Sequence, residues 1–235
     1  MLFKSALFLA LPFASEAGGY WRGSRTELEM VFDGSGDTGV TGTIELVQDD
    51  DENTVGTWKV NIHVDEDKVR ENPECAEFNG LFNWHVHNAP IGADSGECGG
   101  TITGGHYDPT YACGGASQGQ STGVGGVPLA EGEVSACTAI NEYRPGYTYG
   151  GEDGVCSQDN QAGCERGDQS GKMGKIEANP SSSWWNWWNS NEQEFEDLWL
   201  GDVADIVGRS IVLHCCQDNA DGCKKRAVCA NIVVA

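Results

Sequence analysis

The stretch FNWHVHNAPIGADSGECGGTITGGHYDP, Phe82 to Pro109, carries three of the chain's five histidines. His85 and His87 stand two residues apart, a spacing that puts both imidazoles on one face of a β-strand. His106 follows a Gly-rich turn, with Cys98 in between. Far downstream the apolar run RSIVLH, Arg209 to His214, ends another candidate strand on a fourth histidine. Four histidines on rigid elements make a ligand set for copper, because neutral imidazole suits Cu(II) and four nitrogens suit its tetragonal geometry.

Upstream, Ser24 to Phe32, Val40 to Val47 and Val55 to Val64 read as strands, rich in β-branched residues and separated by Asp/Gly clusters. In the third, Trp58, Val60, Ile62 and Val64 fall on one face, and Lys59, Asn61 and His63 on the other. His63, the fifth histidine, therefore belongs to the solvent face. Short strands with frequent turns predict an all-β antiparallel sandwich or barrel. Two more strands are expected at Arg209–His214 and Val228–Val234, and a short one at Gly174–Ala178.

These residues resemble the copper/zinc superoxide dismutase family. The likeness rests on His85-Val86-His87, on Gly105-His106-Tyr107-Asp108-Pro109, on Gly208 to His214, and on Arg226-Ala227-Val228-Cys229. It implies an eight-stranded Greek-key β-barrel of the immunoglobulin-like sandwich type. It also implies His85, His87, His106 and His214 as ligands of one copper ion, Arg226 as the active-site arginine that attracts the superoxide anion, and a Cys98–Cys229 disulfide. His106 takes the position of the imidazole that bridges copper and zinc in two-metal members. A zinc site there needs two further histidines and an aspartate. Only His63 is left over, and it lies upstream, so zinc is not expected.

The segment Cys164-Glu165-Arg166-Gly167-Asp168-Gln169-Ser170-Gly171-Lys172 resembles instead the copper-only branch of that family, in which a glutamate and an aspartate support the bridging-position histidine. Glu165 and Asp168 take those roles here. A ligand histidine needs an outer partner to fix its tautomer, and a carboxylate can serve in place of a metal. The implied reaction is dismutation of superoxide to O₂ and H₂O₂ by Cu(II)/Cu(I) cycling, with His106 carrying a proton. The connection between the last two strands is shorter than in zinc-containing members, which predicts a more open site.

The 235 residues fit one domain with embellishments. With 14 basic residues against 36 acidic ones, a formal charge of −22, the chain lacks a nucleic-acid footprint and is repelled by anionic membranes. Steering of an anionic substrate must then come from a local field, and Lys224-Lys225-Arg226 is the densest basic cluster. Residues 1–17 read as a secretory signal: Lys4, an apolar run Ala6 to Phe13, and a small-residue site at Ser15-Glu16-Ala17. No later run approaches the roughly 20 apolar residues of a transmembrane helix. Ten cysteines agree with export to an oxidising, extracellular setting. The adjacent Cys215 and Cys216 must bond to different partners.

The superoxide dismutase-like domain is thus expected over residues 18–235, with two additions. Thr110 to Gly163 shows no hydrophobic period and holds Cys113, Cys137 and Cys156; it reads as an insertion stapled by disulfides, standing where the family's zinc-binding loop would be. Ser181 to Asn191 holds Trp184, Trp185, Trp187 and Trp188, either a hydrophobic plug or an aromatic platform for a glycan or protein. Three functions stay open on this reading: a secreted copper-only superoxide dismutase, working as a monomer; a copper-holding protein without turnover; and a surface or matrix interaction module using the tryptophans.

Overall fold

The computed structural model describes residues 25–49, 55–122, 130–131, 133–144, 146–150, 154–180, 192–217 and 223–235. The candidate signal over 1–17 and the tryptophan cluster at 184–188 lie outside the described residues.

Among the described residues, ten strands form two sheets. The first is ordered β10 (Val233–Val234), β1 (Arg25–Asp33), β2 (Val40–Asp49), β3 (Gly56–Val64) and β6 (Asn179–Pro180), and β7 (Gln193–Asp197) also pairs with β3. The second is ordered β5 (Ile176–Glu177), β4 (Phe78–His87), β8 (Ser210–Gln217) and β9 (Lys225–Asn231). All pairings are antiparallel except β3 with β6. Seven strands have five or more residues and three have only two, a finer division than the expected eight. The strand expected over Val228–Val234 is broken at Ile232, whose amide and carbonyl bond to Arg209 and Gly208. The chain crosses there from β9 in one sheet to β10 in the other.

The period-2 pattern decides which face each strand buries. In β3, Trp58, Val60, Ile62 and Val64 are at most 1% exposed, while Asn61 and His63 face solvent. Leu28, Met30 and Phe32 of β1 meet them, with Trp84 and Val86 of β4 and Ile211 and Leu213 of β8 from the opposite sheet. Trp58 and Trp84 pack edge to face across the sandwich, ring centres 5.3 Å apart, an arrangement that stabilises aromatic pairs beyond their area burial.

The second sheet is covered on its outer face as well, so β8 is buried along nearly its whole length. The helix α1 (Glu66–Glu71) follows β3, and the connection from β4, including helix α2 (Gly100–Thr103), lies over β8 and β9 and packs Ile91 against Val212, Cys98 and Cys229. The Cys98–Cys229 disulfide ties it down. Four more bridges link Cys75–Cys215, Cys113–Cys137, Cys156–Cys164 and Cys216–Cys223. Two of them lie in or against the 110–163 insertion, whose regular structure among the described residues is short turns and the helix α3 (Ala136–Asn141).

Candidate metal centre

β4 alternates by necessity. With Trp84 and Val86 in the core, His85 and His87 must project from the outer face, under the covering loop. β8 is antiparallel to β4, His85 facing Val212 and Asn83 facing His214, which brings His214 onto the same face. His106 arrives on the covering loop and is fixed by backbone bonds on both sides. Its neighbour Tyr107 donates to Val86 O at 2.9 Å, while its own amide donates to Ala116 O and its carbonyl accepts from Gln118 in the insertion.

The result is one cluster: a ring nitrogen from each of His85, His87, His106 and His214 lies within 4.8 Å of the others. His85 and His106 stack with centres 4.0 Å apart, and His87 stacks on His214 at 5.5 Å. The residues His85, His87 and His214 are 6%, 0% and 5% exposed and His106 is partly exposed.

The outer partners assign the tautomers. His87 Nδ1 donates to Gly104 O at 2.9 Å and His214 Nδ1 to Lys224 O at 3.1 Å. A carbonyl can only accept, so both Nε2 atoms carry lone pairs. Those two lone-pair nitrogens face each other at 3.3 Å with no proton to share. His106 Nδ1 donates to Glu165 Oε2 at 2.7 Å, leaving its Nε2 free. His85 is turned the other way: Nε2 stands 3.4 Å from Asp168 Oδ1, and Nδ1 is buried without any hydrogen-bond partner. Buried polar atoms are rarely left so. Facing acceptors and an orphaned nitrogen in one chamber fit a cation, and an all-imidazole donor set fits copper or another borderline transition metal. Burial holds His85 down to about 4, with the neighbouring His106 and Arg226 adding to it, and burial likewise lowers His87 and His214. Neutral imidazole is the ligand form.

The acidic pair reaches the cluster because residues 165–173 dock along the free edge of β4. Val86 donates to Gly167 O, Gly167 to Tyr107 O, and Trp84 to Ser170 Oγ. Gly167 permits the approach, since a Cβ there would stand 2.5 Å from Val86 O. Asp168 caps the helix α4 (Gln169–Met173), accepting from the Gly171 amide with the same Oδ1 that faces His85. The two carboxyls then diverge. Burial raises Glu165 against the opposing pull of His106. Burial would raise Asp168 too, but His85, His106 and the Gly171 amide outweigh it and hold it below the usual carboxylate range.

Arg226, on β9, donates to Cys98 O and Thr103 Oγ1 at 2.6 Å each and to Gly104 O at 2.9 Å. Its guanidinium is thereby held 3.4 Å from His87 Nδ1. Of the two lysines beside it, Lys224 is exposed and Lys225 lies 3.5 Å from Glu74, so the cluster's charge at the metal centre is Arg226 alone among the three. Sequence reading missed two contributors. Lys172 is fully buried and paired with Asp197 at 2.5 Å, and Asp197 also accepts from Trp58 Nε1; this pair anchors α4 on the core. Tyr149, in the insertion, touches both acids and carries no local signal, since nothing periodic surrounds it.

The two-sheet antiparallel sandwich is similar in fold to solved superoxide dismutases. The chain is similar to a point mutant of superoxide dismutase 5 from Candida albicans, at 20% identity over 90% of each chain with a TM-score of 0.50. It is also similar to the Cu(II) form of that protein, at 20% identity, TM-score 0.49, over 90% of this chain and 94% of the other. A third is the Cu/Zn superoxide dismutase of Brucella abortus, at 17% identity, TM-score 0.36, over 88% and 99%. No protein-family model matches the sequence, and no curated protein matches it.

Proposed function

We propose that the chain is a secreted superoxide dismutase that uses one copper ion, held by His85, His87, His106 and His214, and needs no zinc. The observation that carries this is the pair of facing lone-pair nitrogens on His87 and His214 beside the orphaned Nδ1 of His85, all next to a fixed arginine. Copper held there would supply one-electron chemistry, in which one superoxide is oxidised to O₂ and a second, taking up two protons, is reduced to H₂O₂.

The protein's own residues then have separate tasks. Arg226, immobilised by two carbonyls and a hydroxyl, presents a fixed positive charge to an anion. The chain's overall negative charge opposes that anion, so the local field matters more. His106 can take up a proton at Nε2, and Glu165 Oε2 on its Nδ1 side stabilises the resulting imidazolium and keeps the ring in place. Asp168 holds His85 with Nδ1 inward. Glu165 occupies the face of His106 from which a second metal would have to approach, and this supports the zinc-free reading. Five disulfides suit an oxidising compartment.

The test is superoxide dismutation per bound copper, on secreted protein loaded in zinc-free buffer. Turnover near the diffusional ceiling, k of about 10⁸–10⁹ M⁻¹s⁻¹, is expected. Tight copper with negligible turnover would sink the enzyme and leave a copper-holding protein.

A further inference from the structure

The long insertion has no part in the chemistry just described, yet it reaches the acidic pair. Tyr149 Oη accepts the Glu165 amide at 2.9 Å and donates to Asp168 Oδ2 at 2.8 Å. One hydroxyl therefore bridges the backbone of one acid and the carboxylate of the other. Tyr149 is itself held: its carbonyl accepts from the Cys156 amide at 2.7 Å, next to the Cys156–Cys164 bridge, and Tyr147 Oη donates to Ala112 O across the insertion. The opposite wall is Gly114, where a Cβ would lie 2.3 Å from Glu165 Oε1 and 2.8 Å from the Tyr149 ring. Residues 112–114 and 147–149 thus clamp Glu165 between them.

We propose that the insertion is a seat for the Glu165/Asp168 pair and that Tyr149 is a positioning residue for the metal centre, acting through both acids on His106 and His85. The inference rests on the metal site proposed above. Its physical logic is that each ligand ring is oriented by a carboxylate, and each carboxylate must be oriented in turn. Asp168 Oδ1 is shared between the Gly171 amide and His85, so the hydrogen bond on Oδ2 sets the rotation of the carboxylate about its own axis. The phenol stays protonated, pushed up by burial and by the two adjacent acids, and so remains a donor.

Tyr149→Phe removes the hydroxyl and keeps the ring. In metal-free protein, the imidazole nitrogen resonances report tautomer and orientation without any copper. Wild type is expected to show His85 protonated at Nε2 and His106 at Nδ1; the variant is expected to shift His85 and His106 while leaving His87 and His214 in place. Copper affinity is expected to fall by less than the roughly 10–100-fold that follows loss of a ligand's own outer partner, with an altered Cu(II) paramagnetic resonance spectrum. Gly114→Ala, which pushes on Glu165 with the hydroxyl intact, is expected to move His106 in the same way. Unchanged His85 and His106 resonances in Tyr149→Phe overturn the inference, whatever the copper affinity. Wild-type protein that binds no copper overturns the metal site instead, and the metal-free resonances still decide the role of Tyr149.

Discussion

The wall of β4, β8 and β9 and the insertion over 110–163 build the same candidate metal centre by opposite means. The wall places His85, His87 and His214 through strand register: once Trp84, Val86, Ile211 and Leu213 face the core, the residues between them have no other direction to take, while Arg226 comes opposite His214 through the register shift between β8 and β9. Among its described residues the insertion has no named strand. It places Gly114, Ala116, Gln118 and Tyr149 with two disulfides, short turns and side-chain bonds to backbone. The wall delivers three of the four clustered histidines, and the insertion bonds the backbone of His106, the Glu165 amide and the Asp168 carboxylate. A cooperative sheet is suited to holding atoms that bond the metal, whereas a stapled loop can reach around to their far sides.

Breaking the wall should cost most. Trp58→Ala removes a fully buried indole, its contact with Trp84 and the donor to Asp197; a loss of about 3–5 kcal/mol is expected from such truncations, read by denaturant unfolding, with metal binding lost along with the fold. A loss under 1 kcal/mol would contradict the packing described for the core. Breaking the insertion should cost less and stay local. Replacing Cys113 and Cys137 together by Ser is expected to remove roughly 2–4 kcal/mol, seen as protease cleavage within 110–163 while the β-sheet circular dichroism persists. If the barrel melts in the same transition, the two regions are one cooperative unit and the contrast fails.

Acid separates the two regions again. The imidazoles of His85, His87 and His214 are held well below the ordinary histidine value of about 6.5, His85 to about 4. The folded state then binds fewer protons than the unfolded one. Stability of the metal-free protein is therefore full above that ordinary value and falls as the pH drops from there toward 4. Melting of metal-free protein at pH 7 and pH 5 checks this, and a melting temperature that rises on acidification would refute it. Smallest of all, His63→Ala should change stability by less than about 0.5 kcal/mol and leave copper content per chain untouched, because His63 faces solvent on the other sheet.

Much of the wall is legible in the residues themselves. The i, i+2 spacing of His85 and His87 and the alternation from Trp58 to Val64 need only the geometry of a strand, and the structure shows both. The extent of the last strand is less legible, since nothing local marks Ile232 as the point where the chain changes sheets. The insertion is opaque because its order comes from pairings between residues far apart in the chain, such as Cys113 with Cys137 and Tyr149 with Asp168.

By itself, then, the sequence determined the strand faces, the solvent position of His63, the shared face of two histidines and the candidate set that also includes His106 and His214. These follow from backbone periodicity, which acts over two to ten residues and is written in side-chain order. Only the tertiary structure decided which ring nitrogen of each histidine turns inward, that Asp168 caps a helix with the oxygen that faces His85, that Lys172 is buried against Asp197, and that Tyr149 bridges both acids. Those outcomes depend on hydrogen-bond partners brought together by long chain closures, and no local spacing encodes which partner will be within 3 Å.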